Sequence, residues 1–205
     1  MQLLYATRNN SKIYNMKRRL KGLPIELVTP KDLNLKLEVL EDGQSPKENA
    51  LKKATAYFQH TQIPTIGADS GLYIDRVPKE KQPGLCVRRI QGKELNDEEM
   101  IAYYVSLMDS IGGKSRAHYL TGLAIVNESG IYTTEIEEDA FIMTSLMDSK
   151  HSHRGNPLDV LTIDPYLNKY YSAMSDDEFL KHNFLFEKQC LSFIQETLFA
   201  KEKIG

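Results

Sequence analysis

The chain has 205 residues, 41% hydrophobic and 26% charged, the balance of a soluble globular protein long enough to bury a continuous core. Its net charge of -2 gives no general attraction to nucleic acid, and no apolar run approaches the ~20 residues that span a bilayer. The start, Met1-Gln2-Leu3-Leu4-Tyr5, enters a strand pattern directly, without the basic-then-apolar layout of an export signal. A cytoplasmic protein of one domain, or one domain with a small lobe, is expected. Cys86 and Cys190 lie far apart and form no Cys-x-x-Cys pattern, so both read as reduced thiols.

Leu3 to Ala6 reads as a first strand. Ile13, Met16 and Leu20 fall at helical spacing and predict a helix over 10–21, with Gly22 past its end. Ile25 to Val28 is a second short strand, and residues 34–44 are irregular and acidic. Ser45-Pro46-Lys47-Glu48 has Ser at the N-cap, Pro in the first turn and Glu at the reciprocal capping position, predicting a helix from Pro46 to about His60. The apolar run Ile63 to Ala68 reads as a buried strand, Ser70-Gly71 as a tight turn, and Leu72 to Ile74 as its extended continuation.

Pro78 to Gly92 is mostly loop, and Asn96-Asp97-Glu98-Glu99 repeats the capping-box logic, opening a helix to about Ser110 that Gly112-Gly113 breaks. Arg116–Val126 and Ile131–Met143 are long β-rich runs joined by the hairpin signal Asn127-Glu128-Ser129-Gly130. Residues 144–172 are polar and turn-rich. A closing helix runs from about Phe184 to Ala200, with Leu191, Ile194 and Leu198 on one stripe. Helix–strand alternation followed by a long hairpin indicates an α/β fold of mixed α+β character, built on a mixed sheet.

Two stretches carry candidate chemistry. Thr7-Arg8-Asn9-Asn10-Ser11-Lys12 joins a strand to a helix, a junction that turns backbone N–H groups and the positive helix end toward an anion. Thr7 and Asn9 add neutral donors and Lys12 a positive charge. The alternative is that Asn10 or Ser11 merely caps the helix and Lys12 is solvated. The Gly-x-x-x-x-Gly-Lys spacing of a Walker A loop is absent.

The second stretch places Glu48 in the first turn of one helix and Asp69 at the end of a buried strand. Mg²⁺ takes only one or two protein carboxylates and fills its shell with water and phosphate oxygens, so this pair suits it. Glu48 is equally explained by capping, and Lys53 by a surface position. Asp69 is harder to explain as a turn former, because the strand before it holds it partly buried and a buried carboxylate needs a metal or a lysine.

In order along the chain, Thr7-x-Asn9-x-x-Lys12, Glu41-x-Gly43-x-Ser45-x-x-Glu48-Asn49-Ala50-x-x-Lys53-Ala54, Asp69-Ser70-Gly71-Leu72 and Pro83-Gly84 resemble the inosine/xanthosine triphosphate pyrophosphatases. The resemblance covers roughly residues 3–178. It implies Mg²⁺-dependent cleavage (Mn²⁺ also serving) of a non-standard purine nucleoside triphosphate such as ITP, XTP or dITP to the monophosphate and pyrophosphate. It assigns the triphosphate to Thr7, Asn9 and Lys12, the metal and water activation to Glu48 and Asp69, and a phosphate contact to Lys53. Asp69, Lys12 and Lys53 become the catalytic residues; Ser70, Arg89 after the Pro-Gly pair, Asp159 and Lys169 become substrate contacts. The fold implied is a two-lobed α/β protein with a long central mixed sheet flanked by helices, its site in a cleft between lobes, assembled as a homodimer.

The second half departs from this pattern. Ala68 stands where the family carries a second acid, and Gly155-Asn156-Pro157-Leu158-Asp159 replaces Gly-Phe-Gly-Tyr-Asp, losing the aromatic that stacks on the purine while keeping Asp159. Lys169 and Ala173-Met174-Ser175 match in register, but Asn183-Phe184-Leu185 stands where Ser-His-Arg reads the base. Ser152-His153-Arg154 has those letters at the wrong place; Arg154-Gly155 matches the linker before the glycine-aromatic segment. His151-x-His153 would share one face of a strand, but without a third ligand the pair reads as solvated loop.

The alternatives are a nucleotide-binding protein or sensor with weakened turnover, and a pyrophosphatase for another nucleotide. The retained residues all concern phosphate and metal, which ranks altered specificity above lost catalysis. The basic run Lys17-Arg18-Arg19-x-Lys21 lacks interleaved aromatics and reads as a solvated helix face, so neither nucleic acid nor membrane is an expected partner.

Overall fold

The computed structural model describes residues 1–90, 92–152 and 156–199. The chain forms two compact units, one holding residues 1–70, 121–136 and those from 186 onward, the other residues 71–120 and 137–185.

In the first unit, β1 (Gln2–Tyr5) pairs in parallel with β2 (Glu26–Val28) on one side and β3 (Thr65–Ile74) on the other. Side chains alternate across a strand, and β1 is buried on both faces, as parallel strands covered by helices are. Leu3 and Tyr5, with Ile66 and Ala68 of β3, pack against Met16 and Leu20, carried on or just after α1 (Asn10–Arg19), and against Phe186, Cys190 and Ile194 of the last helix, Phe184–Phe199. Leu4 and Ala6 face the other way, with Tyr57 of α2 (Pro46–Thr61). The alternation therefore directs Gly67 and Asp69 to the α2 face. At Gly67 the approach is so close that an added Cβ would lie 2.2 Å from the Ala50 carbonyl oxygen.

In the second unit, α3 (Asp97–Ser110) is opened by a complete capping box between Asn96 and Glu99. Its Met100, Tyr104 and Met108 are buried with Leu72, Ile74, Ala117, Phe141 and Leu158. β4 (Arg89–Ile90) and β5 (Lys93–Glu94) form a separate small ribbon. The long β6 (Lys114–Asn127) pairs with β7 (Gly130–Glu137) and, antiparallel, with β8 (Phe141–Thr144). β8, β9 (Thr162–Asp164) and β10 (Lys169–Tyr170) continue antiparallel. Parallel and antiparallel pairs together make the mixed sheet expected of this α/β chain, and helices flank it. Among the described residues no helix is long and apolar enough to cross a membrane.

The elements depart from the sequence reading in several places. Ser70-Gly71 is no turn, because β3 runs unbroken from Thr65 to Ile74. The glycine serves a close approach instead: Leu72 and Gly84 exchange backbone hydrogen bonds of 2.9 and 3.0 Å, and a Cβ on Gly71 would stand 3.2 Å from the Gly84 carbonyl. The Ile131–Met143 run is two strands, β7 and β8. Residues 144–172 hold β9, β10 and a 3₁₀ turn over Pro157–Leu161, and α4 (Asp176–His182) follows, all too short for periodicity to register. In the last helix, α5, the deeply buried stripe is Phe186, Cys190 and Ile194, with Leu198 packed beside it and Leu191 only half-buried. Cys86 is exposed and Cys190 buried, both as free thiols.

Candidate active site

The N-terminus of α2 builds the site. The Ser45 hydroxyl accepts the Glu48 N–H at 3.2 Å, and Pro46 occupies the first turn, where its missing N–H is not needed. The Glu48 carboxylate does not close a capping box on Ser45; its Oε2 accepts the Gln44 N–H at 2.8 Å. Asn49 and Lys53 are one turn apart and share a face. Asn49 is buried and works in both directions. Its Nδ2 donates to Asp69 Oδ2 at 2.9 Å and its Oδ1 accepts the Gly43 N–H at 2.8 Å. Gly43 is required there, since an added Cβ would lie 2.6 Å from Asn49 Oδ1.

Lys53 is buried along its stem, and its ammonium lies 2.9 Å from Glu41 Oε2 and 3.7 Å from Asp69 Oδ1. The half-buried Asp69 thus has the lysine partner that its place on the strand demands, and the Asn49 amide as well. Next to it, Ser70 Oγ and Thr121 Oγ1 share a hydrogen bond of 2.6 Å.

The loop after β1 differs in detail from expectation. The N-cap of α1 is Asn9, neither Asn10 nor Ser11: its Oδ1 accepts the N–H groups of Ser11 and Lys12 at 2.9 and 3.1 Å. Those N–H groups are therefore committed to the cap. Thr7 Oγ1 accepts the Asn9 N–H at 3.2 Å, which folds the loop on itself. The half-buried Lys12 follows in the first turn. Arg8, to which the sequence reading gave no role, donates to the Leu35 and Leu37 carbonyls at 3.5 and 3.4 Å.

The remaining expected contacts belong to the second unit. Arg89 is exposed on β4, in register with Glu94. Asp159 is half-buried in the 3₁₀ turn. Lys169 donates to Glu178 Oε1 at 2.6 Å, and Glu178 completes the capping box of α4 with Ser175. That lysine hydrogen bond, helped by the Ser175 N–H, holds the Glu178 carboxyl down at about 2. At the Ser-His-Arg position, Asn183 is buried and donates to the Phe179 carbonyl, while Phe184 and Leu185 are exposed. His151 Nδ1 meets Asp148 Oδ2 at 2.9 Å, a carboxylate that also accepts the Ser172 hydroxyl at 2.7 Å. His153, Arg154 and Gly155 lie outside the described residues, and with them the histidine pair and the arginine-glycine linker.

Glu41, Asn49 and Thr121 are the participants to which sequence reading gave no role. Asn49 was detectable, four residues before Lys53 on the same helical face. Glu41 and Thr121 meet their partners only through the tertiary fold.

Carboxylate oxygens are the donor type that a hard divalent cation takes. Glu48 and Asp69 offer carboxylate oxygens, and a carboxylate has about four lone-pair positions, so the Asn49 and Lys53 contacts do not exhaust Asp69. Among the described residues no three His, Cys, Asp or Glu side chains assemble into a metal cage, which Mg²⁺ does not require.

The Ham1 family profile matches residues 3–183, and the chain belongs to that family. This agrees with the resemblance read from the order of its motifs. A curated relative, the dITP/XTP pyrophosphatase of Leptospira interrogans, is 37% identical over 130 residues, 62% of this chain; the chain spans 64% of that relative's length. The dITP/XTP pyrophosphatase of Campylobacter jejuni subsp. doylei is 30% identical over 189 residues, 87% of this chain and 88% of the relative. Among solved structures, the Staphylococcus aureus Ham1 protein superposes with a TM-score of 0.72 at 19% identity, covering 96% of this chain and 100% of that one. A nucleoside-triphosphatase / dITP/XTP pyrophosphatase from Mycobacterium abscessus gives 0.67 at 23% identity, covering 95% and 98%. Both likenesses concern the fold.

Proposed function

We propose that the protein hydrolyses a non-standard purine nucleoside triphosphate of the ITP, XTP or dITP type to the nucleoside monophosphate and pyrophosphate, in the presence of Mg²⁺ or Mn²⁺. The observation that carries this reading is the Asn49–Asp69–Lys53 cluster beside Glu48, in a chain whose relatives are named dITP/XTP pyrophosphatases.

A divalent cation bound through Glu48 and Asp69 supplies charge neutralisation to the phosphate chain. The residues do the rest. Lys12 and Lys53 stabilise the charge that develops on pyrophosphate as the bond between the α-phosphorus and its bridging oxygen breaks. Asp69, oriented by Asn49, polarises the attacking water and takes up its proton. Thr7, Asn9 and Ser70 contact the phosphates, and Arg89, Asp159 and Lys169 contact the rest of the substrate. Lys169 must leave Glu178 to do so, and no aromatic is supplied by Asn156-Pro157-Leu158, so the base is read less closely than the phosphates. The whole chain acts as one nucleotide-pyrophosphatase domain and as a homodimer, as the resemblance implies; its charge, hydropathy and cysteine pattern support a cytoplasmic protein with no nucleic-acid or membrane partner.

The test is pyrophosphate release from ITP, XTP, dITP and the four standard triphosphates, with Mg²⁺ and with Mn²⁺. Metal-dependent release is expected, lost in Asp69→Asn and reduced in Lys12→Ala. A rate unchanged in both variants sinks the assignment. Tight nucleotide binding without turnover turns the reading toward a sensor.

A further inference from the structure

The basic run Lys17-Arg18-Arg19-x-Lys21 is not one solvated face. Arg19 turns inward, where its guanidinium pairs with Glu187 at 2.5 and 2.7 Å and lies over the Phe186 ring, fastening α1 to α5. Lys17, Arg18 and Lys21 fall at helical spacing on another side of the chain and line a cleft of about 620 Å³. Tyr14, exposed, stands beside them with the Arg18 guanidinium 5.8 Å from its ring centre. Among the described residues no acidic side chain lines the cleft. Asp32, which feels the charge of Lys17, has its carboxylate engaged by the Thr29 N–H and hydroxyl at 2.9 and 2.7 Å. A cation in the last turn offsets the negative end of a helix dipole, which accounts for one charge here and not for three around a cleft.

The floor of the cleft is aliphatic. Leu23, Ile25 and Leu27 line it and are only half-buried, although they pack on the core. One wall is a sheet edge, because β2 is the terminal strand of its sheet, beside β1. The Glu26 N–H bonds the Met1 carbonyl at 2.9 Å. Alternate residues of a parallel strand bond the neighbour, so Leu27 directs its N–H and carbonyl to the outer edge. Cations, aliphatic side chains and strand backbone thus meet at one place, all within the first unit.

We propose that this cleft docks an extended acidic segment of a partner protein, which adds as a strand along β2. Side chains alternate across a strand, so every second residue of the segment enters the cleft. Apolar ones cover Leu23, Ile25 and Leu27, and acidic ones on either side meet Lys17, Arg18 and Lys21. Charge complementarity selects this occupant. A nucleic acid offers phosphate charge but no aliphatic groups for the floor. A lipid tail needs an enclosed apolar cavity, whereas Lys21 and Gly22 are exposed here. The docking site uses none of the residues assigned to phosphate or metal, so it stands or falls apart from the pyrophosphatase reaction.

The experiment is fluorescence anisotropy of a labelled, end-capped peptide, Glu-Thr-Leu-Thr-Leu-Thr-Glu, titrated with the full chain at low and at physiological ionic strength. Saturable binding is expected, weaker at the higher salt. The double variant Lys17→Glu with Lys21→Glu is expected to bind about tenfold or more weakly, and Lys17→Gln with Lys21→Gln about threefold more weakly. Thermal unfolding of both variants is the fold control. Serine in place of both peptide leucines should cost about tenfold, and N-methylation of alternate peptide residues should do the same by blocking the strand pairing. No wild-type binding at about 1 mM protein, a level that only the weakest complexes miss, overturns the proposal. So does equal binding by the charge-reversed variant, or an oligothymidylate or dodecyl phosphate that binds as tightly as the peptide.

Discussion

In the first unit, Glu41, Gly43, Asn49, Lys53 and Asp69 are joined to one another, so that each position is set by at least one other member of the group. In the second, Arg89 lies exposed on a two-residue strand, Lys169 is engaged by the helix-capping Glu178, and Asp159 sits in a 3₁₀ turn. The dense polar network of that unit is a different one, Asp148 with Ser172 and His151. The contrast bears on how each group should answer to substitution. Replacing one member of an interlocked cluster leaves a buried partner unsatisfied, whereas residues tied only to local structure can change one at a time.

The largest effect that would break this contrast is at Asp69. Asp69→Asn keeps the shape and removes the charge, and a fall of about a thousandfold in kcat/KM for pyrophosphate release is expected. Gly67→Ala tests whether the cluster depends on the close seating of α2. Its Cβ would lie 2.2 Å from the Ala50 carbonyl, so denaturant melts should show a loss of about 3 kcal/mol. Displacement of Asn49 and Lys53 from Asp69 should lower turnover by about tenfold or more. Lys169→Ala sharpens the other side. Because its ammonium already serves Glu178, KM is expected to rise only about threefold to tenfold, far less than at Asp69; a loss comparable to Asp69→Asn would erase the distinction.

The smallest effect on activity is expected at Asp148. Burial raises its pKa, but hydrogen bonds from Ser172, the Lys150 N–H and His151 outweigh it and hold the carboxyl at about 2. That value lies below the ordinary ~3.9 of an aspartate, so the stabilisation is complete above about pH 4 and is lost as pH falls through about 2. Unfolding midpoints measured from pH 6 to pH 2 should fall less steeply for Asp148→Asn than for wild type, with turnover at pH 7 unaltered.

Much of the fold was legible because its signals are local. The Asn96–Glu99 capping box, the Ser45 N-cap, the α1, α2, α3 and α5 periodicities and the Asn127–Gly130 hairpin all involve residues a few positions apart. The short strands β9 and β10, the α4 helix and the split of Ile131–Met143 escaped because segments of a few residues carry no readable period. Gly71 misled because a glycine after Asp-Ser looks like turn chemistry, while its actual constraint is the backbone of Gly84, distant in sequence. At the site, Asp69 was singled out by its strand context and Lys53 by its place in the motif, but Asn49, which donates to Asp69, was passed over.

The sequence by itself determined the order of strands and helices, the Ham1-type motifs, and the need of Asp69 for a partner, since these follow from spacing along the chain and the cost of burying a carboxylate. Only the tertiary structure decided which partner Asp69 has, that Asn9 uses its oxygen for a helix cap, that Lys169 answers to Glu178, and that Glu41 pairs with Lys53. Those are contacts between side chains brought together by sheet pairing and helix packing, and no short-range pattern specifies them.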